Sequence, residues 1–230
     1  MLKYLQLPFQ FDAARMLQEV SQLEDSRWKL HYQQLHYEGE WSAIPLRSTG
    51  GNADNIYIAA TNNIPYHDTP FLDHSPYLKE ILREFKCPLL SVRLLKLDAG
   101  ALIKEHRDAD LCFEKGEVRI HIPVITHEEV EFYLDKERIR MKSGECWYLN
   151  FNLPHSIHNK SDINRIHLVI DATVNDWVNQ LFGMPADNKK EIPDTGFDTD
   201  TKIRIIAQLR SMNTETATRL ADEMEGTLQK

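Results

Sequence analysis

Short β-rich segments separated by turn residues follow one another from residue 89 to residue 173 and restrict the possible folds more than any other feature. They cover residues 90–97, 117–125, 130–134, 137–141, 145–151, 156–159 and 165–173. Short strands at regular spacing favour an antiparallel sandwich or barrel, of which the jelly roll is the typical closed form. The sequence therefore predicts a mainly β fold with flanking helices, in the α+β class.

Amphipathic periodicity predicts two helices before the β region. Residues 9–23 and 76–85 carry apolar side chains at helical spacing, and Pro76 suits the first turn of a helix. Residues 41–63 lie between these segments and are predicted to be rich in turns, because they contain the pair Gly50 and Gly51.

The last part of the chain changes in composition. A polar connector at residues 187–198 precedes a segment, 199–230, with the apolar spacing of two short helices. Residues 1–186 are therefore predicted to form one β domain with an N-terminal helical brace, and residues 199–230 a helical appendage. Pairing of these C-terminal helices between two copies would give a homodimer.

The charge balance excludes several classes of partner. The 230 residues include 35 acidic and 27 basic side chains, a net charge of −8, which argues against a nucleic-acid binder because affinity for nucleic acid comes mainly from Lys and Arg. No apolar run approaches the ~20 residues that span a bilayer, and the N-terminus lacks the apolar stretch of a signal peptide. We expect a cytoplasmic protein without a membrane partner, large enough that any metal is functional rather than structural.

Two histidines and one aspartate have the spacing of a metal site. His106 and Asp108 lie in EHRDAD, predicted to be a loop between strands, and His155 follows Pro154 at the head of a later strand. Two residues two apart on an extended segment point the same way. Two imidazoles and a carboxylate on one face of a metal leave the opposite positions open, the geometry of non-haem Fe(II) oxygenases. His106, Asp108 and His155 are the predicted metal ligands and catalytic centre.

Two other histidines compete for the third ligand position. His158 has the opposite parity to His155 on the same strand, so only one of them can face the interior. His167 lies on the next strand, beside Arg165. His155 is preferred because Pro154 helps to give it a rigid mount.

Two strand arginines suggest what binds beside the metal. Arg119 and His121 share one strand face, and Arg165 and His167 share another. A guanidinium on a buried strand needs an anionic partner, and its planar fork suits a carboxylate. Two inward arginines imply an acidic ligand with two ends. The alternative is that each pairs with an internal Asp or Glu, as isolated strand arginines usually do.

Four segments of the chain resemble a known enzyme family. EHRDAD, VRIHIPVI, SGECWYLNFNLPHS and NRIHLVIDATV are similar to the aspartyl/asparaginyl and proline hydroxylase family of Fe(II)/2-oxoglutarate oxygenases, over residues 90–173. The flanking regions resemble the bacterial L-proline cis-hydroxylases more loosely. The resemblance implies a double-stranded β-helix, a jelly roll of the cupin type, with iron at His106, Asp108 and His155.

The same resemblance implies the reaction and the cosubstrate contacts. The enzyme would use O2 and 2-oxoglutarate to hydroxylate an unactivated carbon, releasing succinate and CO2. Arg165 would hold the distal carboxylate of 2-oxoglutarate, with Arg119 and His121 near its metal-bound end. The substrate would be an amino acid, either an Asp or Asn side chain in a peptide or a free amino acid, with free L-proline as the alternative.

Substrate recognition and two other functions stay open at this point. Arg47, in IPLRS, is a candidate clamp for a substrate carboxylate, although an exposed loop arginine is equally often only solvated. A metal-binding cupin-like enzyme without redox chemistry would have no evident reason to keep Arg119 and Arg165 inward. A binding module with a vestigial pocket would have no need of a complete ligand set.

Overall fold

The computed structural model describes residues 1–23, 27–57 and 64–183, together with Ile203, Ile206, Ala207 and Arg210. In chain order the strands are β1 (Tyr4–Gln10), β2 (Lys29–Leu30), β3 (Tyr37–Glu38), β4 (Trp41–Thr49), β5 (Tyr66–Asp68), β6 (Leu89–Leu97), β7 (Leu102–His106), β8 (Glu117–Ile125), β9 (Val130–Leu134), β10 (Glu137–Ile139), β11 (Glu145–Leu149), β12 (His155–Asn159) and β13 (Arg165–Thr173). The helices are α1 (Ala13–Ser21), α2 (Pro70–Asp73), α3 (Pro76–Glu84) and α4 (Asp176–Leu181). None of the described helices is long and apolar enough to cross a membrane.

Two antiparallel sheets form the β domain. The larger has eight strands in the order β1-β11-β8-β13-β6-β4-β2, with β5 beside β4, and the smaller has the order β10-β9-β12-β7-β3. Strands that are distant in sequence are neighbours in both sheets, as in a double-stranded β-helix. The predicted jelly-roll fold is therefore confirmed.

The larger sheet buries apolar side chains on both faces. Its outer face, which includes Leu94 and Leu168, belongs to one core cluster with residues of α1 and α3. Its inner face, which includes Leu95 and Val169, belongs to a second cluster with residues of the smaller sheet such as Phe132. This alternation follows from the two-residue period of a strand. The inner cluster surrounds the candidate site.

The first predicted helix is shorter than the periodicity suggested. Helix α1 begins after Asp12, whose side chain accepts hydrogen bonds from the backbone N–H groups of Ala14 and Arg15. Phe9 instead belongs to β1, which pairs with β11 at the edge of the sheet. An edge strand tolerates Pro8, which cannot donate a backbone hydrogen bond. The second predicted helix is confirmed as α3, with Pro76 in its first turn.

The prediction of a turn-rich segment at residues 41–63 was wrong for its first half. Residues 41–49 form β4, a strand that pairs with β6 over residues 41–47. Pro45 interrupted the expected strand pattern, since proline is rare inside sheets. Pro45 lies at a register shift in the pairing of β4 with β6. On the other edge of β4, it lies between the residues that pair with β2 and those that pair with β5.

The chain divides into two compact units, Met1–Met184 and Pro185–Lys230. In the second unit the four described residues are helical. The predicted connector at 187–198 and the second C-terminal helix lie outside the described residues. The domain boundaries and the homodimer stay predictions.

Candidate metal centre

Hydrogen bonding between β7 and β12 brings the two candidate histidine ligands together. His106 and His155 are paired across this ladder, and their ring centroids lie 4.2 Å apart. The prediction that His106 lies in a loop was wrong, because it is the last residue of β7. A backbone position within a sheet fixes a side chain more tightly than a loop does.

A bulge in β7 turns His106 toward the interior. His106 pairs with His155 and Ile103 pairs with Ile157, so the intervening segment of β7 has one residue more than that of β12. Residues three apart on a regular strand point in opposite directions. Because of the extra residue, Ile103 and His106 both line the same cavity.

Asp108 completes the cluster just beyond the end of β7. Its backbone N–H donates to the carbonyl of Phe151, and its Oδ1 lies 3.7 Å from Nε2 of His106. One candidate ligand atom from each of His106, Asp108 and His155 lies within 4.8 Å of the others. Among the described residues, this is the group that could hold a metal ion with three such ligands.

Hydrogen bonds leave one nitrogen of each imidazole available. Nδ1 of His106 lies 2.8 Å from the carbonyl oxygen of Lys104, and Nδ1 of His155 lies 3.0 Å from that of Leu153. A carbonyl oxygen only accepts, so each Nδ1 carries a proton, and Nε2 is the ring nitrogen left to bind a metal. Burial lowers the pKa of His155 to about 4, and nearby His106 contributes, so this imidazole is neutral at physiological pH. Both rings therefore offer Nε2 as a ligand atom.

The Asp108 carboxylate is charged and oriented by Arg119. Burial alone would raise its pKa, but the Arg119 guanidinium beside it lowers it. Nη1 of Arg119 donates to Oδ2 of Asp108 at 2.6 Å. This contact occupies one carboxylate oxygen and leaves Oδ1 on the side of His106. Two imidazoles and one carboxylate therefore fit a divalent metal of the Fe(II) type.

A buried aspartate that the sequence analysis did not single out stands behind Arg119. Oδ1 of Asp171 accepts from Nε of Arg119 at 2.6 Å, and its Oδ2 accepts at 3.2 Å from both Arg119 and Arg93. Asp171 has the same parity on β13 as Arg165 and His167, so continuing that face would have found it. The internal carboxylate proposed as the alternative partner for Arg119 is therefore present. A contact between Arg119 and the cosubstrate stays a prediction.

Arg165 has no carboxylate partner among the described residues. It is 1% exposed, its Nη2 donates to Nδ1 of His167 at 2.9 Å, and its Nε makes no hydrogen bond within that part of the chain. Burial lowers its pKa to about 9, which leaves it charged at neutral pH. A buried cation without a carboxylate is unfavourable unless a ligand supplies one. Arg165 lines the same small cavity as the three candidate ligands.

The two histidines beside Arg165 have defined proton positions. Since Nδ1 of His167 accepts from Arg165, the 3.2 Å contact between Nδ1 of His167 and Nδ1 of His121 requires His121 to donate. Burial, together with Arg165, lowers the pKa of both rings well below the usual range, so both are neutral. Nε2 of each ring has no partner in the described structure. His121 lines the cavity, whereas His167 lies behind Arg165.

The two remaining sequence candidates lie elsewhere. His158 pairs with Leu102 and Glu131, and the cavity is lined by His155 and Ile157 of the same strand but not by His158. Arg47 donates to Asp68 at 2.6 Å and to the carbonyls of Tyr66 and Leu89, and it lines a separate surface pocket. A substrate contact for Arg47 stays a prediction that these three protein contacts do not favour.

Comparisons with known proteins agree with the motifs. A family model described as aspartyl/asparaginyl beta-hydroxylase matches residues 10–174. An L-proline cis-4-hydroxylase of Rhizobium meliloti (strain 1021) is 30% identical over 164 residues, 70% of this chain and 57% of that protein. An L-proline cis-3-hydroxylase of Streptomyces is 27% identical over 136 residues, 58% of this chain and 47% of that protein.

Among solved structures, an oxidoreductase of the 2OG-Fe(II) oxygenase family from Burkholderia pseudomallei superimposes with a TM-score of 0.47 and 13% identity, over 70% of this chain and 79% of that one. The chain spans about half the length of the curated relatives it matches. The family model covers most of the β domain and the whole segment that carries the candidate ligands. The chain therefore belongs to the aspartyl/asparaginyl β-hydroxylase family.

Proposed function

We propose that this protein is an Fe(II)- and 2-oxoglutarate-dependent dioxygenase that hydroxylates an amino acid. The observation that carries the proposal is the shared cavity of His106, Asp108, His155 and the unpaired guanidinium of Arg165. The three ligands suit Fe(II), and Arg165 suits a carboxylate. A metal site and a cation that can bind a carboxylate lie in one cavity, and this combination suits a 2-oxo diacid. A metal-binding barrel without redox chemistry would not need the cation.

Each buried group has a defined part in this reaction. Nε2 of His106, Nε2 of His155 and Oδ1 of Asp108 would hold the iron, which supplies the activation of O2 and the oxidation of an unactivated carbon. Arg165 would hold the distal carboxylate of 2-oxoglutarate, and His121 would face the end nearer the metal. Arg119 keeps Asp108 charged and in place. The cavity wall of Trp41, Leu95, Phe151 and Ile157 excludes water from the reacting carbon.

A free amino acid is the substrate class that we favour, with L-proline as the first candidate. The family model is named for aspartyl and asparaginyl hydroxylation, but the two curated relatives are named as L-proline hydroxylases. The second candidate is an Asp or Asn side chain presented in a peptide.

Anaerobic protein given Fe(II) and 2-oxoglutarate tests the metal and cosubstrate sites together. We expect a weak visible metal-to-ligand charge-transfer band with the wild type and its loss in His106→Ala. His158→Ala is the matched control and should keep the band. An equal band in wild type and His106→Ala would refute the ligand assignment. Succinate detection by NMR across free amino acids, with L-proline first, and short Asp-, Asn- or Pro-containing peptides then identifies the substrate.

A further inference from the structure

A second and much larger cavity lies behind Arg165. It is a groove of about 730 Å³, whereas the cavity beside the three candidate ligands has about 30 Å³. The groove lies at one end of the barrel, and its walls are the segment after β8, strand β9 and the segment from β10 to β11. Arg165 lines both cavities, and His167 and Phe132 also line the groove. Most of the open space that reaches Arg165 therefore lies on the side away from the candidate ligands.

The groove carries more positive than negative charge in an acidic protein. Five of its lining residues are Lys or Arg and three are Glu, namely Arg138, Arg140, Lys142, Lys160 and Arg165 against Glu128, Glu129 and Glu131. Lys160 pairs with Glu131 at 2.9 Å, whereas Arg140 and Lys142 are exposed at the surface. With a net charge of −8 for the chain, this excess makes the groove a favourable approach for an anion.

Two residues that line the groove have polar atoms without partners among the described residues. Nε of Arg165 and Nε2 of His167 are buried and make no hydrogen bond within the described structure. Since Nδ1 of His167 accepts from Arg165, its Nε2 carries a proton and is a donor. Two unsatisfied donors, one of them charged, on residues that line a positively charged groove suit a carboxylate.

We propose that this groove is a second access route to the cavity, through which 2-oxo diacids and the diacids formed from them exchange at Arg165. The proposal rests on the role of Arg165 in the proposed function. The amino-acid substrate then uses the opposite mouth, beside Trp41 and the candidate ligands. A diacid leaving by the groove need not pass a substrate bound at that mouth.

A change in an access route and a change in a binding site affect the rate constants differently. An obstacle in an access route slows association and dissociation by the same factor and leaves Kd unchanged, whereas a damaged binding site changes Kd. Thr126, half-buried at the groove, gives the obstacle as Thr126→Trp. The exposed pair gives the double variant Arg140→Glu/Lys142→Glu, which reverses charge without filling the groove. Lys86→Glu, an exposed lysine outside the groove, is the matched control.

Stopped-flow absorbance of anaerobic Fe(II)-loaded protein mixed with 2-oxoglutarate measures these rates. We expect Thr126→Trp to lower both rate constants at least fivefold with Kd within twofold of the wild type. The double charge reversal should lower the association rate about three- to tenfold at low salt, and the difference should shrink as salt is added. Lys86→Glu should change the association rate less than twofold.

Unchanged rates in both groove variants would overturn the proposal of an access route. The proposed function would still stand in that case, provided that the wild-type protein responds to 2-oxoglutarate. A weaker Kd with an unchanged association rate would make the groove part of the binding site and would also overturn it. If Thr126→Trp does not fold, the double variant at exposed positions decides alone. A wild-type protein that binds Fe(II) but does not respond to 2-oxoglutarate overturns the proposed function and the groove together.

Discussion

The two faces of β13 are equally buried but opposite in character. On the outer face, Ile166, Leu168 and Ile170 pack into an apolar core with the flanking helices. On the inner face, Arg165, His167 and Asp171 are each 1% exposed. Burying the outer face stabilises the fold by roughly 25 cal/mol for each Å² of apolar surface. Burying the inner face is costly unless each charge finds a partner.

That partner is present at one end of the inner face and absent at the other. Asp171 neutralises Arg119 and contacts Arg93, which makes a compact ionic network beside the candidate metal. Arg165 has a neutral imidazole instead of a carboxylate. One strand thus combines a stabilising outer surface, a balanced ionic network and a cation left ready for a ligand. This contrast predicts that substitutions on the inner face separate stability from binding.

The largest effect is expected for Asp171→Asn. The change leaves Arg93 buried without its carboxylate partner and Arg119 with Asp108 alone, and breaking a buried ion pair from one side costs about 3–5 kcal/mol. Urea denaturation of the metal-free protein measures the loss. Asp73→Asn, which removes an exposed carboxylate paired with Lys79 at 2.6 Å, is the control and should change stability little, because water screens that pair. Equal small losses would mean that Asp171 does not offset the buried charges of Arg93 and Arg119.

Arg165→Gln should separate binding from stability. Loss of charge-assisted contacts worth about 1.5–3 kcal/mol should raise the 2-oxoglutarate requirement at least tenfold. The free energy of unfolding should stay the same or increase, since an unpaired buried charge is removed. Leu168→Ala, on the outer face, is the matched control and should lose about 2–5 kcal/mol of stability with an unchanged 2-oxoglutarate requirement. An unaltered requirement in Arg165→Gln would refute its role.

At neutral pH the smallest effect concerns His31, which is buried and stacks on Trp41 with ring centroids 3.5 Å apart. Burial, aided by Arg93 and Arg119, lowers its pKa to about 3. The unfolded chain binds this proton near pH 6.5, so it binds more protons than the folded chain between pH 6.5 and 3, and stability falls as the pH drops through that range.

His31→Phe should remove this contribution, at most about 1.4 kcal/mol per pH unit, from the slope of unfolding free energy against pH. Urea denaturation at several pH values between 4 and 7 measures the slope. Parallel curves for wild type and variant would show that His31 titrates normally in the folded protein. The outer face of β13 has no titratable side chain that could add such a slope.

The sequence predicted best the strands whose side chains alternate without interruption. Strands β8, β9 and β13 begin and end at the predicted residues, because turn residues bound them and one period describes them. Strand β4 was missed because Pro45 breaks its pattern, and β7 because its bulge and polar residues hide the alternation. Local periodicity does not reveal a strand whose regularity depends on its neighbours.

The sequence predicted only part of the candidate site, for the same reason. Two histidines and an aspartate are recognisable as ligand types, and the structure brings together the three that were chosen. Asp171 and Arg93 were not singled out, since each is an ordinary strand residue until the sheet places them beside Arg119. The sequence could not show whether a strand arginine binds a ligand or pairs with an internal carboxylate, because the side chain is the same in both cases. Only the positions of the neighbouring residues in the structure distinguish the two.

The bulge in β7 makes the candidate metal site depend on how two strands pair as well as on which side chains they carry. On a strand without a bulge, positions three apart face opposite surfaces of the sheet, so regular pairing from Ile103 onward would turn the imidazole of His106 away from the interior. Every ligand would still be encoded by the sequence. The capacity to coordinate a metal thus depends partly on the register between β7 and β12, which no single side chain specifies.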